Sequence, residues 1–321
     1  MTGLSRRSVL AGSTATAGAL SLAPCFIEAF FSSAMAQSAG FNKYKVGSLE
    51  VCGIADGVNT IPLPDRFVVN QAKEEVAKAL RAAGQDGEKL SIPFNPFAFT
   101  NGNRVVLIDT GMGPAANTQN PAVGNTVKNL TAAGYDPAKI TDVVISHFHG
   151  DHINGLLNGA NPTYPNAQVW VPAAEWKYWT DEGEISRAPD ARKGAFANVK
   201  RVFADGLKNK VTQYEHGKEV VPGLTSVATL GHTPGHTSFV LASGNDKLFI
   251  QSDVTNVPYL FVNNPGWHAM FDQDAKQAEE TRRKTFDMVS AEKMRVQGFH
   301  FPFPSLGRIE KAGDGYRLVA A

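Results

Sequence analysis

A chain of 321 residues with 43% hydrophobic and 19% charged side chains has the composition of a folded globular protein, which excludes a wholly disordered chain. Its formal net charge of +1 is spread without long runs of one sign, which argues against a track for nucleic acid or for an anionic membrane. At this length a single core buries roughly three quarters of the unfolded surface, so disulfides are not required.

The first 36 residues read apart from the rest. Paired arginines in Ser5-Arg6-Arg7-Ser8-Val9-Leu10 precede an apolar, small-residue stretch from about Val9 to Ala23, and Ala34-Met35-Ala36 offers a small-x-small cleavage site. This pattern predicts a twin-arginine export signal over residues 1–36, a mature domain over 37–321, and a periplasmic or secreted protein. The apolar stretch is shorter than the roughly 20 residues a spanning helix needs, so no stable membrane anchor is expected. Leu22-Ala23-Pro24-Cys25 is only loosely like a lipidation site, with proline just before the cysteine. Cleavage after Ala36 leaves Cys52 as the one cysteine, inside the apolar run Leu49–Ile54, where it reads as a small buried residue.

Beyond the signal, Lys45–Ile54, Pro93–Thr100 and Arg104–Asp109 read as strands, with Asn101-Gly102-Asn103 as a hairpin turn between the last two. Val127–Gly134 has helical spacing and ends in glycine. Ile140–Ile145 is an apolar, β-branched strand; Gln168–Val171 is another, followed by a helix over Ala173–Trp179 and a polar, partly helix-compatible segment over Asp181–Arg192. Strands are then expected at Thr225–Leu230, Ser238–Ala242 and Lys247–Gln251, a long helix at Asp274–Val289, and closing strands at Arg295–Gly298 and Tyr316–Val319. No fixed-period repeat or linker interrupts the pattern, which suggests two sheets between helices in one α/β domain.

The chemistry concentrates where the strand Ile140–Ile145 ends. His147, His149, Asp151 and His152 fall within six residues, in a chain with only eight histidines. Residues two apart at a strand end point the same way, so His147 and His149 can face one ion, while the turn through Gly150 lets Asp151 and His152 face a second. Nitrogen and carboxylate donors without thiolate suit Zn²⁺, with Mn²⁺, Fe²⁺ or Co²⁺ as alternatives. Further donors stand at the ends of later apolar strands: Gly231-His232-Thr233-Pro234-Gly235-His236, Ser252-Asp253 and Phe299-His300.

The ordered set HxHxDH, GHTPGH, SD and a late histidine, together with Asp109-Thr110-Gly111, resembles the metallo-β-lactamase superfamily from about Lys45 to the C-terminus. Within it the chain looks most like the methyl parathion hydrolase group of exported organophosphate and ester hydrolases. The shared features are the late segment His300–Ile309, the closing Gly315-Tyr316-Arg317 and the aromatics Trp179 and Phe196. The resemblance implies a four-layer αββα sandwich holding two divalent ions, with His147, His149 and His232 on the first, Asp151, His152 and His300 on the second, and Asp253 bridging. His236 and Asp109 are then supporting residues that hold the ligands without touching the ions.

No Gly-x-Ser-x-Gly elbow is present, so the expected nucleophile is a hydroxide bridging the metals, with Asp253 fixing their separation and Asp151 able to relay a proton as well as ligate. The implied reaction is hydrolysis of small-molecule esters, lactones or phosphotriesters. Trp176, Tyr178, Trp179, Phe196, Trp267 and Phe271 are candidates for an apolar pocket, with Trp179, Phe196 and Trp267 foremost. A lactonase for N-acyl homoserine lactones is an alternative, although such enzymes carry a tyrosine where this chain has Asn256. A β-lactamase is disfavoured by Asp253 and by the lack of a cysteine ligand. The methyl parathion hydrolases carry an aromatic in the region of Met112–Gly124, and this chain has none there. A non-catalytic metal-binding protein on the same fold is the remaining reading, disfavoured because all seven ligand candidates are retained. A homodimer is one assembly to be expected of the chain.

Overall fold

The computed structural model describes residues 40–321, so the predicted export signal lies outside the described residues. The first sheet is built from β1 (Phe41–Val46), β2 (Leu49–Ile54), β3 (Phe97–Asn101), β4 (Arg104–Ile108), β5 (Asp142–Val144), β6 (Gln168–Pro172) and β7 (Val211–Tyr214). The second contains β8 (Glu219–Val221), β9 (Leu224–Ala228), β10 (Thr237–Ser243), β11 (Asp246–Ser252), β12 (Arg295–Gly298), β13 (Leu306–Ala312) and β14 (Gly315–Val319). In both sheets the spatial order follows the chain order. Strands β1 to β4 run antiparallel in turn, and β4 to β7 are parallel. In the second sheet only β11 and β12 are parallel.

Parallel neighbours need a crossover, and the helices supply it. Among them are α1 (Lys73–Ala82), α2 (Thr126–Ala132), α3 (Ala173–Thr180), α4 (Asp190–Val202) and α5 (Ala275–Ala291). Helix α2 lies between β4 and β5, α3 and α4 between β6 and β7, and α5 between β11 and β12. Asp274 caps α5, its carboxylate accepting from the Gln277 amide at 3.0 Å.

Strand alternation sorts the side chains into layers. Val106 and Ile108 of β4 join Val51 and Phe97 against Leu224, Phe239 and Leu248 of the second sheet. The intervening Leu107 points the other way and packs with Val143, Trp179, Phe196 and Val199 under α3 and α4. On the far side, Phe249 and Val296 pack against Phe286 and Val289 of α5. The order is helix, sheet, sheet, helix, as the resemblance implies. Burying a side chain such as Phe239, which solvent does not reach, is worth roughly 1.5–3 kcal/mol.

Two expected strands prove to be pairs. Lys45–Ile54 splits into β1 and β2 because Gly47 turns the chain at φ +54°, where side-chain-bearing residues are strained. Pro93–Thr100 breaks at Asn95-Pro96: Lys89–Phe94 pairs with Gly57–Pro62 in a separate two-stranded ribbon, and β3 starts afresh at Phe97. The hairpin at Asn101-Gly102-Asn103 forms as expected, with Asn101 opposite Arg104 and Gly102 at φ +58°. The ribbon, α1 and the helical turn Pro258–Phe261 enclose a further apolar cluster, including Phe67, Phe94 and Phe299.

Candidate metal centre

The seven expected donors come together at one end of the sandwich, beyond the carboxyl ends of β5, β11 and β12 and in the β9–β10 connection. The first sheet delivers His147 to His152; the second delivers His232, Asp253 and His300. Two three-residue groups result, His147–His149–His232 and Asp151–His152–His300, with donor atoms within 4.8 Å of one another in each. Asp253 stands between them. Its Oδ1 lies 3.1 Å from His152 Nε2, and its Oδ2 lies 3.3 Å from His232 Nε2 and 3.0 Å from His300 Nε2. A third grouping, His147 with His236 and Asp253, is geometrically close but chemically closed. His236 Nδ1 donates to the Thr229 carbonyl at 2.8 Å, and Nε2 accepts from the Asp253 amide at 3.0 Å. Both nitrogens are spent on protein, so His236 holds Asp253 in place.

Local structure explains why the donors converge. Asp109 closes β4 at φ +56°, a conformation aspartate tolerates better than most residues, and its carboxylate turns under the 146–152 loop. There it accepts from the Ser146 amide, the Ser146 hydroxyl and His152 Nδ1, each at 2.8 Å. The bond to Nδ1 fixes the tautomer and leaves the Nε2 lone pair of His152 facing Asp253. His300 is fixed in the same sense by Nδ1 donating to the Pro93 carbonyl at 2.7 Å. Phe299 stacks on the His152 ring at 3.9 Å between centroids.

The electrostatics show what charge the cluster suits. Burial alone would lower the pKa of His152 and His300, yet the carboxylates of Asp253 and Asp151 raise both. Burial opposes ionisation of Asp151, but the adjacent His152 and His300 bring it down to about 2. At the other group, burial and the neighbouring imidazole of His232 take His149 to about 3. His147 also falls well below its ordinary value, through burial and the neighbouring His152. One group thus offers neutral imidazoles at His147 and His149, while at the other the carboxylates of Asp253 and Asp151 favour positive charge on His152 and His300, so the site as a whole stabilises added positive charge. His147 Nε2, His152 Nε2 and Asp253 Oδ1 are buried without a hydrogen-bond partner, an arrangement that is costly unless a cation completes it. On that test the residues fit a pair of divalent ions.

The aromatic candidates divide. Trp179 and Phe196 are each 2% exposed and belong to the core beneath α3 and α4, so the expectation that they present an open pocket wall is revised. Trp179 packs behind His149, 6.2 Å between ring centroids, and its indole N–H is held by Glu175 Oε2 at 2.6 Å. Trp267 is half-buried against the Phe67 cluster, and its carbonyl accepts from Arg282 at 2.8 Å. The exposed apolar surface lies elsewhere, at Val69, Met270 and Phe271. Phe271 directly precedes Asp272, whose Oδ1 accepts from His232 Nδ1 at 2.9 Å, so this surface adjoins the centre.

Three supporting residues escape the sequence reading. Ser146 bridges Asp109 and His147 Nδ1. Glu175 accepts from the Phe148 amide at 3.1 Å and the Gly235 amide at 2.7 Å, joining the two histidine loops across the sheets. Burial pushes its carboxyl up, while these bonds draw it down. Asp272 is the third. A lone acid in the otherwise apolar start of α3 is a signal for Glu175; Asp272 carries no motif.

The family model described as the metallo-β-lactamase superfamily matches residues 95–290. An N-acyl homoserine lactonase of a Bacillus species is 27% identical over 171 residues, covering 48% of this chain and 60% of that protein. The N-acyl homoserine lactonase AttM of Agrobacterium fabrum is 33% identical over 127 residues, 38% of this chain and 43% of that protein. The matched segment thus spans about 60% and 43% of the lengths of these two relatives. Among solved structures, the hydrolase AbOPH of the β-lactamase superfamily superposes with a TM-score of 0.81 at 26% identity, covering 89% of this chain and 98% of that one. AidC, a dizinc quorum-quenching lactonase in complex with a product, superposes with a TM-score of 0.82 at 24% identity over 88% and 97% of the two chains, a likeness of fold.

Proposed function

The chain belongs to the metallo-β-lactamase superfamily, and from that premise we propose that it is a two-metal hydrolase of carboxylic esters and lactones, with phosphotriesters cleaved incidentally. The observation that carries the reading is the pair of three-residue groups sharing Asp253, with buried donor atoms that no protein group satisfies. His147, His149 and His232 would hold one ion and Asp151, His152 and His300 the other, with Asp253 between them. Nitrogen and oxygen donors without sulfur favour Zn²⁺. Bound there, two such ions would supply Lewis acidity that lowers the pKa of water towards neutrality and polarises the scissile carbonyl.

The protein's own contribution is orientation. Asp109 and the Pro93 carbonyl keep the Nε2 lone pairs of His152 and His300 turned inward. His236 fixes the backbone of Asp253, so its two oxygens serve both groups. Asp151 and His149, one in each group, are the partly exposed donors, while Asp253 is 3% exposed at its side chain, so substrate and water reach the centre past these two. The Asp151 carboxylate is ionised at neutral pH and stands 3.5 Å from both His152 Nε2 and His300 Nε2, so its chief role is to hold the second ion with them. Phe271, Met270 and Val69 provide an apolar surface beside His232 that suits the acyl portion of an ester or an N-acyl lactone.

The curated relatives named above favour the lactone; Asn256, where lactonases place a tyrosine, favours a broader ester substrate. A panel of p-nitrophenyl esters, N-acyl homoserine lactones, a phosphotriester and a cephalosporin, assayed on zinc-loaded protein, decides between them. Cleavage of none of the four, by protein carrying two zinc equivalents, overturns the proposal. The proposal extends to export through residues 1–36. N-terminal sequencing of the periplasmic fraction should find a start just after Ala36, and a protein confined to the cytoplasm overturns that part.

A further inference from the structure

The remote nitrogens of the candidate ligands are not treated alike. Ser146 Oγ lies 3.0 Å from His147 Nδ1, and His300 Nδ1 reaches a backbone carbonyl. A carboxylate backs one histidine in each group: Asp109 backs His152 at 2.8 Å and Asp272 backs His232 at 2.9 Å. The two carboxylates differ in their own partners. Asp109 accepts from the neutral amide and hydroxyl of Ser146. Asp272, with a side chain only 2% exposed, faces the guanidinium of Arg282 at 3.3 Å, itself 2% exposed.

Arg282 is anchored on every side. It projects from α5 and donates to the carbonyls of Val254 at 3.0 Å, Pro265 at 2.9 Å and Trp267 at 2.8 Å. Val254 follows Asp253 directly, and the chain from Pro265 to Asp272 carries the exposed Met270 and Phe271. A buried arginine is retained at a site like this because its planar fork reaches several acceptors at once, which a lysine cannot do.

Resting on the two-ion reading above, we propose that Asp272 is the positioning residue of the His147–His149–His232 site and that Arg282 tunes that site alone. Asp272 holds the proton of His232 on Nδ1, so the Nε2 lone pair faces His149 and Asp253, and the carboxylate makes the imidazole a better donor. Arg282 opposes the carboxylate's charge and restrains that gain. The Asp109-backed site has no such counter-charge. The two positions are therefore built to bind their ions unequally.

The test is stepwise release of zinc from the full-length protein to a chromophoric chelator, read beside thermal melts of the metal-free forms. Wild type should release two equivalents in two phases; a wild type that holds none sinks the two-ion reading and this refinement with it, whereas the variants below test the refinement alone. Asp272→Asn should weaken one phase roughly 10–100-fold and leave the other unchanged. Asp109→Asn should weaken the other phase. Arg282→Met, which lifts the opposing charge, should tighten the phase that Asp272→Asn weakens. The double variant Asp272→Asn/Arg282→Met carries no unpaired buried charge and should retain the weakened phase, with its metal-free melt lowered only by the backbone carbonyls that Arg282 leaves unpaired. If wild type binds two ions but Asp272→Asn releases both as wild type does, the proposal is overturned. It is equally overturned if Asp272→Asn and Asp109→Asn weaken the same phase, or if both phases shift together with the metal-free melt.

Discussion

Replacing Asp109 with alanine should destabilise the metal-free protein by about 2–6 kcal/mol. The carboxylate is buried, 1% exposed, and accepts from three donors at 2.8 Å. The Ser146 hydroxyl can turn to His147 Nδ1, 3.0 Å away, so its loss is compensated. The Ser146 amide has no such alternative and the His152 Nδ1–H has only the longer contact to Ser146 Oγ at 3.4 Å, and each stranded buried donor costs about 1–3 kcal/mol. Alanine also sits poorly at φ +56°. Against a net stability of about 5–15 kcal/mol, this is a large fraction. Asp109→Asn keeps one acceptor oxygen and suits the left-handed backbone, so its cost should be roughly half as large. Urea unfolding of metal-free wild type, Asp109→Ala and Asp109→Asn measures all three on one scale. An alanine variant within about 0.5 kcal/mol of wild type would falsify the claim that this carboxylate holds the 146–152 turn.

Asp253→Ala removes the one side chain common to both groups and should lower hydrolysis of any accepted ester by more than the roughly 10–100-fold typical of supporting residues, with circular dichroism unchanged. Trp179→Ala should cost about 3–5 kcal/mol in unfolding experiments, as expected for a buried indole and not for a pocket wall. Phe271→Ser should cost about 0.5–1.5 kcal/mol, the worth of its edge-on contact with Phe67, while raising KM for long-chain esters over short ones, which steady-state kinetics reads directly. His236 is lowered from 6.5 to about 3, first by burial and then by the neighbouring His232. Its folded pKa lies below its unfolded one, so its contribution is complete above pH 6.5 and declines as pH falls towards 3. Metal-free unfolding between pH 7.5 and 4 should show that decline, less steeply in His236→Gln.

The candidate centre was legible because each donor follows an apolar strand, and strand ends in a two-sheet sandwich share one rim. The motif residues His147 to His152 needed only local spacing, and His232, Asp253 and His300 each stood beside a recognisable strand. Asp272 was not legible, since it follows no strand and its partner Arg282 lies on a different element. The aromatics failed for a different reason. Trp179 and Phe196 have the composition of a pocket and the periodicity of a helix face, and the sequence does not say whether that face looks outward or onto β4 and β5. Splitting Lys45–Ile54 turned on a single glycine whose φ only the fold reveals.

Each sheet is a continuous stretch of chain, 41–214 and 219–319, joined by only four residues. Neither stretch owns a full set of donors: the first holds four of the seven, the second three. A chain severed between Tyr214 and Glu219 would give two fragments that each bury one face of the same apolar seam. Zinc added to the mixture should strengthen their reassembly, because the ions would be gripped from both sides of the cut. The bound metal would then serve as a rivet for the architecture as well as a reagent.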